Sequence, residues 1–267
     1  MHEIILLNER LDPDYTKIKG KISIVMPAYN LKDKILESVN KVCYIVNKIA
    51  EDYEVIVVDD GSTDGTYFEL LKLNNEKVIP LRNNRNVGKG YAVKRGVLKS
   101  TGEYIIILDA DMEIKYDSII SYLKALKHYD IIIASKRHPK SKYDAPIIRK
   151  ILSLGFNALV RLLTGVKVSD TQTGLKAFRG HIAKKIMRVI LVKRYAFDVE
   201  VLAVAGLLNL KIYEQPVNIK QRKSFSLKSI FLMFIDLLGI TYRLRILKWY
   251  QKNLLKKYPE YKPIIKL

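Results

Sequence analysis

The chain of 267 residues predicts an α/β fold, a mainly parallel sheet flanked by helices and followed by an amphipathic helical tail. Three observations predict it. Short apolar runs recur between longer stretches of helical pattern, turn-forming polar clusters close several of the runs, and a hydrophobic share of 49% suffices for a sizeable core.

The strand-like runs are Ile22 to Met26, Glu54 to Val58, Val78 to Leu81, Tyr104 to Leu108 and Ile131 to Ala134. Helices expected at Lys32 to Ala50, Gly65 to Asn74, Gly88 to Lys99 and Asp117 to Lys127 separate most of them, an alternation that favours parallel strands covered on both faces. Beyond Ile133 the pattern changes to a basic loop, a helix from about Arg149 to Leu163, a polar knot at Ser169 to Gly174, a helix around Phe197 to Leu208 and a short strand, Lys211 to Tyr213. There is no internal repeat or low-complexity linker. The expected division is an extension over 1–20, one domain over 21–225 and a tail over 226–267.

The tail opens on the apolar stretch Ile230 to Ile240, interrupted by Asp236 and flanked by Lys228, Arg243 and Arg245. That is too short to cross a hydrocarbon core, which needs about 20 residues. It reads either as a helix lying in the interface of an anionic membrane or as one packed on the domain or on a second copy in a homodimer; Trp249, Tyr250 and Tyr258 suit both.

A net charge of +20 implies attraction to polyanions, and basic runs lie at Lys136 to Lys142 and Lys220 to Lys228. No aromatic-rich RNA-binding signature, zinc-ligand set or basic heptad region accompanies them, so no nucleic-acid partner is expected. The single cysteine, Cys43, excludes an internal disulfide, and Met1 to Lys19 lacks the continuous apolar core of a secretory signal. The expectation is a cytoplasmic protein, peripheral at the inner face of the cell membrane.

The chemistry is concentrated at the ends of the apolar runs. Asp109-Ala110-Asp111 follows Tyr104 to Leu108, and two carboxylates this close repel unless a cation sits by them, so the pair suggests a Mg²⁺ or Mn²⁺ site facing phosphates. Val57 to Gly65, VVDDGSTDG, joins a strand to a helix; Asp60 is a candidate for contact with a base and Asp64 for capping the next helix. Pro27-Ala28-Tyr29-Asn30 offers a ring to wall a heterocycle. Asn86 to Gly90 opens a helix with a lysine, Lys89, that could meet a diphosphate, and it is no Walker loop because Asn83 replaces the first glycine and Gly90 follows the lysine.

PAYN at 27–30, VVDDGSTDGT at 57–66, NVGKG at 86–90 and DAD at 109–111, in that order and spacing, resemble glycosyltransferase family 2. DTQTGLKAF at 170–178 and FDVEVL at 197–202 look most like its polyprenyl-phosphate (dolichyl-phosphate) glucose and mannose synthases. The resemblance implies a GT-A type, Rossmann-like sheet, a divalent cation, inversion at the anomeric carbon, a nucleotide sugar such as UDP-glucose or GDP-mannose as donor and a polyprenyl phosphate as acceptor. Carried over by position, Pro27, Tyr29, Val58 and Asp60 would hold the nucleoside, with Lys89 beside the diphosphate. Asp109 and Asp111 would hold the metal and diphosphate, with Glu113 a further metal ligand. Arg149 and Ser153, with Lys136 or Arg137 and the later Arg222, would clamp the acceptor phosphate. Asp111, Arg149 and Arg222 are thus the expected catalytic residues. A sugar-hydroxyl acceptor would instead require a base, for which Asp170 or Asp198 would serve. A non-catalytic nucleotide-sugar binder is the other alternative. Leu31, where an acidic residue is frequent, and Thr173, where the glucose synthases have cysteine, depart from the pattern.

Overall fold

Alternation of apolar residues decides which face of each strand meets which helix. In β1 (Ile18–Ala28), Ile22, Ile24 and Met26 join one core while Val25 joins the other; in β4 (Tyr104–Ile107), Ile106 opposes Ile105 and Ile107 in the same way. The computed structural model describes residues 17–111, 119–220 and 227–259. Within them β2 (Ala50–Asp59), β3 (Val78–Arg82), β5 (Ile131–Ser135), β7 (Lys176–Arg179) and β8 (Ile212–Pro216) complete a seven-stranded sheet of order β3-β2-β1-β4-β7-β5-β8. β7 runs antiparallel to both its neighbours, and the other pairings are parallel. A small second sheet pairs β6 (Lys142–Asp144) with β9 (Asn218–Lys220).

One face is covered by α1 (Lys32–Ile49) and α4 (Ile119–Ala125), whose Ile35, Val39, Val42, Val46 and Tyr122 pack on β1, β2 and β4. The buried Cys43 belongs to this layer. The other face carries α3 (Lys89–Lys99), α6 (Gly180–Met187) and α7 (Phe197–Leu207), the last buried along almost its whole length. The short α2 (Thr66–Leu71) follows β2, and α5 (Ile147–Thr164) flanks the basic loop.

The sequence reading omits β6, β7, β9 and α6. β7 is only four residues, KAFR, and its buried first residue is a lysine, so no apolar run marks it. The expected helix from Asp117 begins outside the described residues, as do the extension over 1–16 and the end of the tail over 260–267.

The tail's inner edge is part of the domain core: Leu237 and Ile240 of α8 (Leu227–Thr241), Leu244 of a π-helical turn (Tyr242–Ile246), and Tyr250 and Leu254 of α9 (Trp249–Lys257) are buried with α7. Glu200, fully buried on α7, accepts the amides of Leu191 and Val192 at 2.9 and 2.7 Å and the Tyr250 hydroxyl. Arg243 donates to that hydroxyl at 3.0 Å. Burying a carboxylate needs such donors, so α9 is fastened to the body of the domain. The outer edge of α8 leaves Phe231, Phe234, Ile235 and Leu238 exposed, and α5, against which α8 packs, exposes Ile147, Ile148, Ile151 and Leu162. Among the described residues no helix is long and apolar enough to cross a membrane.

Candidate active site

The carboxyl ends of β1, β2 and β4 meet at one edge of the sheet, where open α/β folds bind ligands. Two turns are knitted there. Asp60 N donates to Ala28 O at 2.8 Å, Asn30 N to Ser62 Oγ at 2.9 Å and Thr63 N to Asn30 Oδ1 at 3.0 Å, which holds Asn30 at the left-handed φ of 51°. Asp64 accepts the first-turn amides of two helices, Thr66 N at 2.9 Å and Lys32 N at 3.0 Å, the capping role expected of it. Gly61 has φ 71° and lies so close to the Arg85 backbone that a side chain would collide with it.

Of the expected nucleoside contacts, Pro27 and the half-exposed Tyr29 stand at this edge. The Val58 side chain is fully buried with Ile56 and Ala92, and its backbone pairs with Pro27 and Leu81. Asp60 is buried, and its carboxylate accepts Asn83 Nδ2 at 2.7 Å, Val87 N at 3.1 Å and Gly88 N at 2.7 Å. These bonds shape the turn before α3.

β4 delivers Asp109 and Asp111, and Ser38 of α1 donates to the Ala110 carbonyl at 2.7 Å, fixing the peptide between them. Ser38 carries no sequence signal beyond a polar residue on an otherwise apolar helix face. The Lys89 ammonium lies 2.6 Å from Asp109 Oδ1 and 2.8 Å from Oδ2. Burial works against that charge, but the carboxylates of Asp109, Asp198 and Asp111 outweigh it and hold the Lys89 ammonium well above the ordinary lysine range. Deeper still, Lys176 pairs with Asp198 at 2.7 Å and donates to Thr173 O at 2.5 Å. Burial pushes the Asp198 carboxyl up, against the pull of Lys176 and Lys89.

Among the described residues no group of three or more His, Cys, Asp and Glu side chains forms a metal cage. The strand-end acids fit a hard cation of another kind, one held through one or two carboxylates and completed by water and substrate phosphates. Glu113 lies outside the described residues, as does Arg222.

The loop over 169–174 joins this centre to the basic cluster. Gly174 lies against the Asp109 carboxylate, closer than any side chain would permit. Asp170 accepts Lys136 N at 2.9 Å, Gln172 N at 3.2 Å and Thr173 Oγ1 at 2.7 Å, and pairs with the Lys136 ammonium at 3.5 Å. Burial opposes the Asp170 charge, but Lys136 and these donors hold its carboxyl below the ordinary aspartate value. Lys136 is therefore consumed in a buried pair. Arg137 instead donates to Ser169 O and, at 2.8 Å, to Ser153 O. Arg149 sits one turn before Ser153 on α5, near Tyr143. The structure thus brings Lys136, Arg137, Arg149 and Ser153 to the start of α5.

A sheet edge with paired acids at its strand ends, knit to a basic cluster by one loop, defines a GT-A type nucleotide-sugar transferase. The chain belongs to glycosyl transferase family 2, whose model matches residues 23–187, and it is a glycosyltransferase. It is 32% identical over 254 residues to a dolichyl-phosphate β-glucosyltransferase of Dictyostelium discoideum, covering 87% of this chain and 77% of that one. It is 32% identical over 216 residues to the human dolichyl-phosphate β-glucosyltransferase, covering 74% and 67%. Its fold is that of glucosyl-3-phosphoglycerate synthase from Mycobacterium tuberculosis, crystallised with Mn²⁺, UDP and glucosyl-3-phosphoglycerate, at a TM-score of 0.64 and 18% identity over 84% of this chain and 79% of that one.

Proposed function

We propose that this enzyme transfers glucose from UDP-glucose to a polyprenyl phosphate of the dolichyl type, with inversion, at the cytoplasmic surface of a membrane. The observation that carries the reading is the 169–174 loop, whose Gly174 backs Asp109 while its Asp170 and Ser169 hold Lys136 and Arg137. A donor subsite and an anion subsite are built on opposite ends of one short segment. The names of the similar glucosyltransferases support glucose and a dolichyl phosphate over mannose.

A phosphate monoester is already a nucleophile at neutral pH, so transfer needs orientation and charge stabilisation more than a base. This agrees with the commitment of Asp170 to Lys136 and of Asp198 to Lys176, which leaves neither carboxylate poised for a sugar hydroxyl. Arg149 and Arg137 would align the acceptor phosphate, and Asp111 would hold the divalent cation. Mg²⁺ or Mn²⁺ bound there would neutralise charge on the departing nucleoside diphosphate.

The exposed apolar edges of α5 and α8 support contact with a membrane surface, where a lipid acceptor resides. α5 carries both an apolar edge and Arg149, so docking by that edge would bring the phosphate cluster to headgroup depth.

Incubating the pure protein with labelled UDP-glucose or GDP-mannose, Mn²⁺ and a short-chain polyprenyl phosphate tests this. Expected is a glucosyl polyprenyl phosphate that forms with the β configuration, is lost in EDTA and is absent for Asp111→Asn. Transfer to a sugar alcohol but not to the lipid phosphate would overturn the acceptor, and undiminished turnover in Asp111→Asn would overturn the metal's place.

A further inference from the structure

The irregular segment over 190–193, between α6 and α7, touches both the anchor of the tail and the turn that opens α3. On one side Glu200 Oε2 accepts the Leu191 and Val192 amides, while its Oε1 accepts the Tyr250 hydroxyl. On the other side Lys193 O accepts Tyr91 N at 3.0 Å and Ile190 O accepts Lys94 Nζ at 2.7 Å, both donors belonging to α3. The backbone oxygens of Val192 and Lys193 lie so close to Gly90 and Gly88 that a side chain at either glycine would collide with them. A path of hydrogen bonds and backbone contact therefore runs from α9 of the tail, through one buried carboxylate, to the turn over 86–90.

We propose that Glu200 is a positioning residue that sets the first turn of α3, and that Tyr250 of the tail holds it to that task. The inference rests on reading the turn over 86–90 as a wall of the donor site, and it adds that the tail supports that wall. A buried carboxylate must have both oxygens satisfied, and Glu200 divides them, one for the segment over 190–193 and one for the tail. Without the Tyr250 hydroxyl, Oε1 faces Arg243 Nη2 at 3.7 Å, beyond hydrogen-bond range. The carboxylate then swings toward Arg243 and loosens its hold on Leu191 and Val192. Close-packed backbone transmits such a shift, so Gly88 and Gly90 move with the segment pressed against them. The tail and the donor-side turn thus behave as one mechanical unit, and displacing α9 weakens the grip on the nucleotide.

Kinetics and amide exchange separate this from a merely structural role. Glu200→Leu and Tyr250→Phe should lower kcat/KM for UDP-glucose about tenfold or more through a raised KM, and leave the KM for a short polyprenyl phosphate within about twofold of the wild type. A loss of folded enzyme alone would lower kcat and move neither KM. Glu200→Gln, which keeps an oxygen for both amides, should stay within about threefold of the wild type. In hydrogen exchange read by mass spectrometry on the protein without ligand, Tyr250→Phe should speed the amides over 86–93 and 190–194 about tenfold, the scale of one lost bond to a buried carboxylate, while β1 and α1 keep their rates. Should Glu200→Leu fail to fold, Tyr250→Phe decides: a protein of native circular dichroism with wild-type UDP-glucose kinetics, or with unchanged exchange over 86–93, overturns the proposal. A Glu200→Gln as impaired as a folded Glu200→Leu overturns it too. A wild type that neither binds UDP nor uses UDP-glucose would instead sink the donor-site reading, and the exchange result would still decide whether the tail sets the turn.

Discussion

Gly174 presses its Cα against the carboxylate of Asp109, so closely that an added methyl would sit under 3.0 Å from it. Lys89 holds that carboxylate at 2.6 Å. Gly174→Ala should therefore displace Asp109 and lower kcat/KM for UDP-glucose by about 100-fold, the scale of a misplacement of about 1 Å at a reacting centre. Thermal unfolding should move little, because the site lies at the sheet edge. Wild-type kinetics in the variant would mean that Asp109 does not need this position.

Lys176 and Asp198 form the buried pair behind the site, at 2.7 Å and almost without solvent contact. Removing one partner leaves an uncompensated buried charge, so Lys176→Met should cost about 3–5 kcal/mol in urea unfolding. Replacing both, Lys176→Met/Asp198→Leu, should recover most of that stability but not activity, because Thr173 loses the ammonium that its carbonyl accepts. A single variant as stable as the wild type would show that the pair carries no structural load.

These two pairings mark the limit of what the sequence makes legible. The strand runs, the order of motifs and the helices Lys32 to Ala50 and Gly88 to Lys99 are visible because local apolar pattern and glycine punctuation encode them. β7 is invisible for the same reason: its burial comes from β4 and β5 on either side, and its leading residue, Lys176, is tolerated inside only because Asp198, more than twenty positions away, neutralises it. Asp109 and Asp111 are visible as paired acids closing an apolar run, but the ammonium of Lys89 beside Asp109 depends on how α3 docks, which no spacing rule supplies. Likewise Val58 carries the family pattern while its side chain is fully buried.

Acid should reveal Glu54. Burial alone would raise its carboxyl, but Ser23 Oγ at 2.5 Å, Thr101 N at 2.6 Å and Lys21 at 3.2 Å outweigh that and hold it below the ordinary glutamate value of 4.5. A depressed folded value means stability present in full above 4.5 and lost as pH falls through the folded value. The wild-type Tm should thus drop on acidification below about pH 4.5, and Glu54→Gln should flatten that limb while lowering Tm near neutrality. Parallel profiles for the two proteins would exclude Glu54 as a contributor.

The apolar edge of α5 and the π-helical turn offers the sharpest separation of membrane contact from chemistry. Leu162 and Ile246 are 73% and 70% exposed, and Arg245 Nη2 ties the turn to Leu162 O at 3.1 Å, so both side chains are exposed on neighbouring segments. A core role would show as lost stability, but side chains this exposed have little packing to lose. Leu162→Glu/Ile246→Glu should therefore unfold within about 0.5 kcal/mol of the wild type. If these residues enter the interface, two new carboxylates there should weaken co-sedimentation with anionic vesicles by at least about tenfold, since burying a charge at a lipid boundary costs on the order of a kcal/mol or more each. Turnover of a short, water-soluble polyprenyl phosphate should be unchanged, while use of the same lipid in vesicles falls. Undiminished vesicle binding, with a dimer lost in sedimentation velocity, would instead assign this edge to a second copy of the chain.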